Sequence, residues 1–192
     1  IKLSPISNPN SGGTIQSIEL FNFMCHEHLK VELKDNINFI VGNNGSNSWY
    51  TFILFNTFLV GGKSAILTAL TVCLGARASS TQRATSLESL IKEGATESKV
   101  VITISNSGAL CFKHDLYGDA IVIERRFRRN GPNSFKIKSG TNGRIISEKK
   151  DEVVSICDNY NIQVDNPLSV LTQETAKKFL VNSTAHDLYE FF

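Results

Sequence analysis

A chain of 192 residues with 41% hydrophobic content can bury one core, so one globular domain is the expected unit. The four cysteines, Cys25, Cys73, Cys111 and Cys157, show no C-x-x-C spacing, which argues against a zinc or disulfide framework and for reduced thiols in the cytosol or nucleus. The net charge of +2 selects no partner by itself; nothing at the start resembles a secretion signal and no apolar run reaches about 18 residues, so neither a secreted nor a membrane-spanning class is expected.

Residues 1 to 13, rich in Ser, Pro, Asn and Gly, read as a flexible leader. Residues 14 to 23 carry Ile15, Ile18, Leu20 and Phe23 among polar neighbours. Residues 29 to 33 alternate apolar with polar before the turn Lys34-Asp35-Asn36, and both stretches are expected strands. The intervening Cys25-His26-Glu27-His28 has metal-ligand residue types, yet a zinc site needs three or four ligands and no second cluster follows. Residues 37 to 42, Ile-Asn-Phe-Ile-Val-Gly, read as a buried strand that enters the small-residue turn Gly42-Asn43-Asn44-Gly45-Ser46, whose backbone can approach an anion closely. Gly62-Lys63-Ser64 then opens a helical pattern that runs through Leu74 and closes at Gly75.

Joined at Ser46 and Gly62, the two halves spell G-N-N-G-S-G-K-S, a complete G-x-x-x-x-G-K-S phosphate loop in its strand-turn-helix frame. In such a loop successive backbone N–H groups wrap the phosphates and the helix N-terminus adds partial positive charge. The lysine reaches the outer phosphate oxygens and the serine hydroxyl ligates magnesium. Gly42, Asn43, Asn44, Gly45, Ser46, Gly62, Lys63 and Ser64 are therefore the nucleotide-binding candidates, Ser64 also the metal ligand, and ATP with Mg the expected cofactors. Residues 47 to 61 interrupt the motif with no charge, five aromatics and the single tryptophan. Closing a loop of that length costs only about 2.4 kcal/mol, but the convergence of consecutive N–H groups on one anion is lost. The segment preserves the reading frame and the motif is complete without it, so it reads as an anomalous insert, a translated retained intron or a mistaken gene model, with a genuine surface loop added to a functional site as the alternative. With it in place, ATP affinity is expected to collapse.

Residues 77 to 89 form a polar connection, and residues 99 to 105 and 120 to 129 read as strands. A hairpin turned at Asn130-Gly131-Pro132-Asn133 gathers Arg125, Arg126, Arg128, Arg129, Lys136, Lys138 and Arg144, seven cations within twenty residues. Alternation puts Arg125 and Arg129 on the side of Ile121, Ile123 and Phe127, which splits the charge between two faces. Contact with a DNA backbone and a solvated hairpin are both open readings. Residues 147 to 162 form the second expected helix, with Val153, Ile156, Cys157 and Tyr160 on one face. After Asn166-Pro167, residues 168 to 173 lead into a helix over 174 to 180 capped by Thr172, and Ser183-Thr184 caps another. The apolar end at Phe191 and Phe192 marks the chain as an expected piece of a longer protein.

The run Q-S-I-E-L-F-N-F-M-C-H at residues 16 to 26, the split loop, Leu74-Gly75-Ala76-Arg77-Ala78, Leu90-Ile91-Lys92-Glu93-Gly94 and S-V-L-T-Q-E at residues 169 to 174 together resemble one known family. They are similar to the N-terminal half of the ATPase head of structural maintenance of chromosomes proteins, over residues 14 to 192 apart from the insert, and most of all to a DNA-repair branch. The fold this implies is α/β, an ABC-type P-loop NTPase head whose N-terminal lobe, here residues 14 to 182, has a mixed sheet around a phosphate-loop helix, with a coiled coil starting at 183 to 192. The resemblance implies that Gln173 reaches magnesium and the attacking water, as catalytic and metal-binding residue. It also implies that Arg83 lies near nucleotide or DNA, joining Arg125, Arg126, Arg128, Arg129, Lys136 and Lys138 as DNA-binding candidates. Implied partners are the C-terminal half of the same head, the fifth family member, non-SMC subunits and DNA, on chromosomes in the nucleus. An acidic pair after an apolar strand and an L-S-G-G signature do not occur in these residues, so this half-head alone is expected not to turn over ATP. The alternative is a non-catalytic DNA or protein-interaction module whose phosphate loop is disrupted.

Overall fold

The computed structural model describes residues 12–35, 37–41, 62–78, 84, 86–166, 169–172 and 176. Strands β1 (Ile15–Phe23), β2 (His26–Glu32), β3 (Glu97–Ser105), β4 (Ala120–Arg128), β5 (Ser134–Ser139) and β6 (Ile145–Ser147) form a six-stranded sheet in the order β2-β1-β3-β4-β5-β6. All of these pairings are antiparallel. Helix α1 (Gly62–Cys73) precedes β3 in the chain, α2 (His114–Tyr117) joins β3 to β4, and α3 (Lys150–Asn159) follows β6.

Period-two alternation gives the sheet one dry face. Ile18 and Leu20 of β1, Val100, Ile102 and Ile104 of β3, Ile121, Ile123 and Phe127 of β4, and Phe135 and Ile137 of β5 are buried there. Helix α1 lies on β1, β3 and β4 through a stripe of Ala65, Ala69, Val72 and Cys73, and α3 packs against β5 with Val153, Ile156 and Cys157 buried. Each large aliphatic buried this way contributes about 1.5–3 kcal/mol, which is what holds the helices to the sheet. The other face carries Glu19, Phe21, Lys99, Val101, Arg126, Lys136 and Lys138, all half-exposed.

Two junctions are held by a few specific hydrogen bonds. Asn106 is fully buried: its Nδ2 donates to the carbonyls of Phe112 at 3.1 Å and Gly118 at 2.6 Å, and its Oδ1 accepts from the Phe112 N–H at 2.7 Å and from the Tyr160 hydroxyl. One side chain thus satisfies the backbone of the whole β3–β4 connection and ties it to the end of α3. At the β1–β2 hairpin, Asn22 and Met24 adopt φ of 48° and 52°, and the Met24 N–H donates to Leu90 O at 2.7 Å while the Lys92 N–H donates to Asn22 O at 2.8 Å. A left-handed methionine is uncommon; here the backbone bonds to residues 90 and 92 hold it.

Residues 37 to 41 depart from the expected buried strand. Ile37, Phe39 and Val41 are 80%, 86% and 81% exposed, and the segment pairs with none of the six strands. A strand apolar on both faces belongs between the two layers of a parallel sheet, and the described antiparallel sheet offers no such slot. Among the described residues the sheet is antiparallel throughout, where a mixed one is expected from the sequence. Helix α3 also starts later than expected, because Ser147 ends β6 and its Oγ accepts from the Lys149 N–H at 3.2 Å, a local turn that delays the helix to Lys150.

Candidate nucleotide site and basic hairpin

The second half of the phosphate loop stands where the sequence put it, at the N-terminus of α1. Gly62 opens the helix, Lys63 and Ser64 follow half-buried in its first turn, and that turn contains no acidic residue. First-turn N–H groups, which have no acceptor within the helix, and the positive end of the helix dipole thus coincide with an ammonium and a hydroxyl, a donor set suited to a polyphosphate and its cation. Gly42, Asn43, Asn44, Gly45 and Ser46, with the insert over 47 to 61, lie outside the described residues, as do Arg83 and Gln173. Near the last of these, the Ala176 N–H donates to Thr172 O at 2.9 Å.

The opposite end of α1 is closed twice. Ala76 N–H donates to Thr71 O and Gly75 N–H to Val72 O, both at 3.2 Å, with Gly75 at φ 106°, the Schellman arrangement foreseen for that glycine. Arg125 then reaches in from β4: its Nη1 donates to Val72 O and, at 3.3 Å, to Ala76 O, and its guanidinium lies 4.6 Å from the Phe135 ring and 5.3 Å from the Phe127 ring. Burial draws the Arg125 pKa below its ordinary value, opposed by the neighbouring Cys73. Burial likewise pushes the thiols of Cys73 and Cys157 up to about 12 and about 11, so both stay neutral in the core.

The basic hairpin is divided as alternation predicted, and Arg125 is the correction to the DNA-binding set. It is 7% exposed, spent on α1, and cannot reach a phosphate outside the molecule. Arg129 is exposed but directs its Nε to Ala95 O at 2.9 Å and Nη2 to Ile91 O and Lys92 O at 3.4 Å. Arg126, Arg128, Lys136 and Lys138 share the wet face. There Glu124, nearly buried, pairs with Lys138 at 2.6 Å and Arg126 at 3.3 Å, and Glu97 takes Arg128 at 3.4 Å and Arg126 at 3.6 Å. Burial pushes the Glu124 carboxyl up, but the hydrogen bonds and charges of Lys138 and Arg126 together outweigh it and hold the carboxyl below its ordinary value.

The Cys25-His26-Glu27-His28 group is dispersed: His26 is buried, while His28 is exposed, stacked on Phe21 at 4.7 Å and bonded to Glu19 at 2.8 Å. Lys99 sits 3.9 Å above the same Phe21 ring. No group of three metal-ligating side chains occurs among the described residues. Sequence reasoning missed this aromatic and cationic cluster because it is assembled across β2, β1 and β3 in register, His28 opposite Phe21 opposite Lys99.

Comparison with known proteins adds the family. The chain is 44% identical over 183 residues to structural maintenance of chromosomes protein 6 of Schizosaccharomyces pombe and 45% identical over 181 residues to that of Homo sapiens, matches that cover 95% and 94% of this chain. It belongs to the structural maintenance of chromosomes family. The matched stretch amounts to 15% of each relative's length, and it is the N-terminal head region of this family. No family model matches the chain. In fold, the family member described here superposes with a TM-score of 0.68 on a structure from work on ATP-driven dimerization and DNA stimulated activation of SMC ATPases, at 22% identity over 92% of this chain and 96% of that one. An Smc head bound to the C-winged helix domain of ScpA gives 0.57 at 24% identity, over 79% of this chain and 42% of that one. The ABC-type head fold expected from the sequence is the fold found.

Proposed function

We propose that this chain is the ATP-binding N-terminal half of a head ATPase that acts on chromosomes in the nucleus, in DNA repair. The observation that carries the reading is α1: Gly62-Lys63-Ser64 open a helix whose first turn is free of acid, and fifteen residues earlier the sequence holds the other half-loop, G-N-N-G-S. Lys63 would hold the outer phosphates and Ser64 the magnesium, which, when bound, neutralises phosphate charge. Gln173 would orient the attacking water. Hydrolysis belongs to the assembled head, because the acidic base and the signature motif must come from the C-terminal half and a partner head, the fifth family member, with non-SMC subunits alongside. The exposed apolar segment over residues 37 to 41 would be covered by that C-terminal half. DNA would lie against the wet face, where Arg126, Arg128, Lys136 and Lys138 stand together.

The deciding experiment titrates a fluorescent ATP analogue, with magnesium, against the full-length head lacking residues 47 to 61. Lys63→Ala is expected to abolish binding. Unchanged binding in that variant, or none in its parent, overturns the nucleotide assignment. The interruption of the loop favours one second reading, an interaction module that holds DNA or protein without nucleotide. That module would keep DNA binding unchanged by Lys63→Ala and would show no nucleotide affinity in either form.

A further inference from the structure

Helix α1 rests on the sheet through a mainly apolar face. Ala65, Ile66, Ala69, Val72 and Cys73 are buried in it, and the hydrophobic part of that contact is non-directional. Directional bonds help set the axial position of the helix. At its C-terminal end the weak ones come from the Cys73 thiol, which lies 3.8 Å from Val100 O and 3.7 Å from Ile123 O, and the charged ones from Arg125 of β4, whose Nη1 bridges Val72 O inside the helix and Ala76 O just past it. Arg125 is 7% exposed and forms no ion pair with a carboxylate among the described residues; its neighbour Glu124 is turned to the wet face and engaged by Lys138 and Arg126. The buried positive charge is therefore balanced by the negative end of α1 and by the faces of Phe127 and Phe135. Its Nε has no hydrogen-bond partner, so the guanidinium is held by these few contacts and not by a wider polar network.

We propose that Arg125 is a positioning residue for the phosphate site: it clamps the C-terminal end of α1 and thereby fixes where Lys63 and Ser64 stand at the other end. The lever is one rigid helix of 12 residues, about 18 Å at 1.5 Å per residue, so a shift at Val72 is carried whole to the first turn. The functional consequence rests on the nucleotide assignment above, whereas the clamp itself does not. The position also explains why a cation is spent in the core of a basic hairpin whose other members stay at the surface.

The test compares Arg125→Met and Arg125→Lys with Val153→Ala, a core truncation outside α1 and β4, in the full-length protein lacking residues 47 to 61. Hydrogen exchange of the Gly62–Cys73 amides reads the clamp without nucleotide. Arg125→Met is expected to speed exchange in α1 while α3 keeps its rates, and Arg125→Lys, which keeps the charge but loses the fork, to fall between. Nucleotide titration then reads the consequence: about tenfold weaker binding for Arg125→Met, partly recovered in Arg125→Lys, with Val153→Ala at parental affinity. Uniform acceleration of exchange across the domain in both arginine variants overturns the clamp, and Arg125→Lys supplies that reading even if Arg125→Met does not fold. Localised exchange with parental affinity overturns the positioning role alone. Loss of binding in Lys63→Ala marks the nucleotide site as intact in that outcome, so the two failures remain distinct.

Discussion

His26 is a polar residue in a dry place, 3% exposed with an Nε2 that meets no hydrogen-bond partner. Burial, aided by the charge of Lys92, draws its pKa below the ordinary 6.5, so the folded chain keeps the ring neutral while the unfolded chain takes up a proton first. The unfolded state therefore binds more protons in the window just under pH 6.5. This contribution is complete above that pH and is lost as pH falls toward the lowered folded value, at up to about 1.4 kcal/mol per pH unit. Glu124 acts with the same sign lower down: its depressed carboxyl adds stability that is present above about 4.5 and lost as pH falls below it. Urea unfolding midpoints at pH 7, 6 and 5 should decline in the parent, and His26→Leu should flatten that decline while leaving the limb below pH 4.5 in place. An equal slope in the variant would assign the neutral-range titration elsewhere. At Gly75 the constraint is conformational. A Cβ there would meet only Lys150 Cε at 3.5 Å, so Gly75→Ala is a test of its φ of 106° with little clash. The expected loss is about 1–2 kcal/mol, read from the urea midpoint.

At the scale of elements, the β4–β5 hairpin shows how a count of charges becomes a geometry. Arg125 goes inward and Arg126, Arg128, Lys136 and Lys138 go outward, each of these except Lys136 paired with Glu97 or Glu124. Phosphates that replace those carboxylates would give about four contacts and a slope of log affinity against log salt of about −3 to −4. Lys136→Ala should reduce that slope by about one unit and weaken binding alike on all sequences, measured by fluorescence anisotropy with a short duplex at several salt concentrations. A slope unchanged by the substitution removes Lys136 from the interface. The split of the arginines was legible beforehand because period-two alternation is a local rule. The same rule exposed residues 29 to 33, which overlap β2, in the text, residues 99 to 105 of β3 were read from their β-branched composition, and the helix-stop glycine marked the end of α1. What Arg125 does inside was not legible, since Val72 O and Ala76 O lie about fifty residues earlier in the chain and only the fold brings them together. Asn106 was equally silent: an asparagine after a strand reads as a turn residue, and only burial shows that it organises a loop. Residues 37 to 41 were read as a strand from their composition, which reports what they require; the described sheet does not supply it.

For the whole molecule, the decisive question is whether the two halves of the phosphate loop can act as one with fifteen residues between them. Helix α1 is formed and Lys63 and Ser64 occupy its first turn, so the second half is in place irrespective of what precedes it. The first half must present consecutive N–H groups to the same anion, and direct bonding of Ser46 to Gly62 brings them there. Deleting residues 47 to 61 is therefore expected to raise affinity for ATP with magnesium by at least about a hundredfold, on the order of 2.7 kcal/mol, comparable to several backbone N–H bonds to a charged group. The deletion also removes Trp49 and four other aromatics and leaves every residue of β1 to β6 in the chain, so the unfolding midpoint is expected to hold or rise. Calorimetric titration of the full-length head with and without the segment, alongside Lys63→Ala in each background, separates the cases. Strong binding only in the deleted form that is lost in Lys63→Ala supports one cradle assembled from both halves. Equal binding in the two backgrounds means that the interrupted loop already closes around its ligand, and the insert would then be a tolerated surface excursion on a working site.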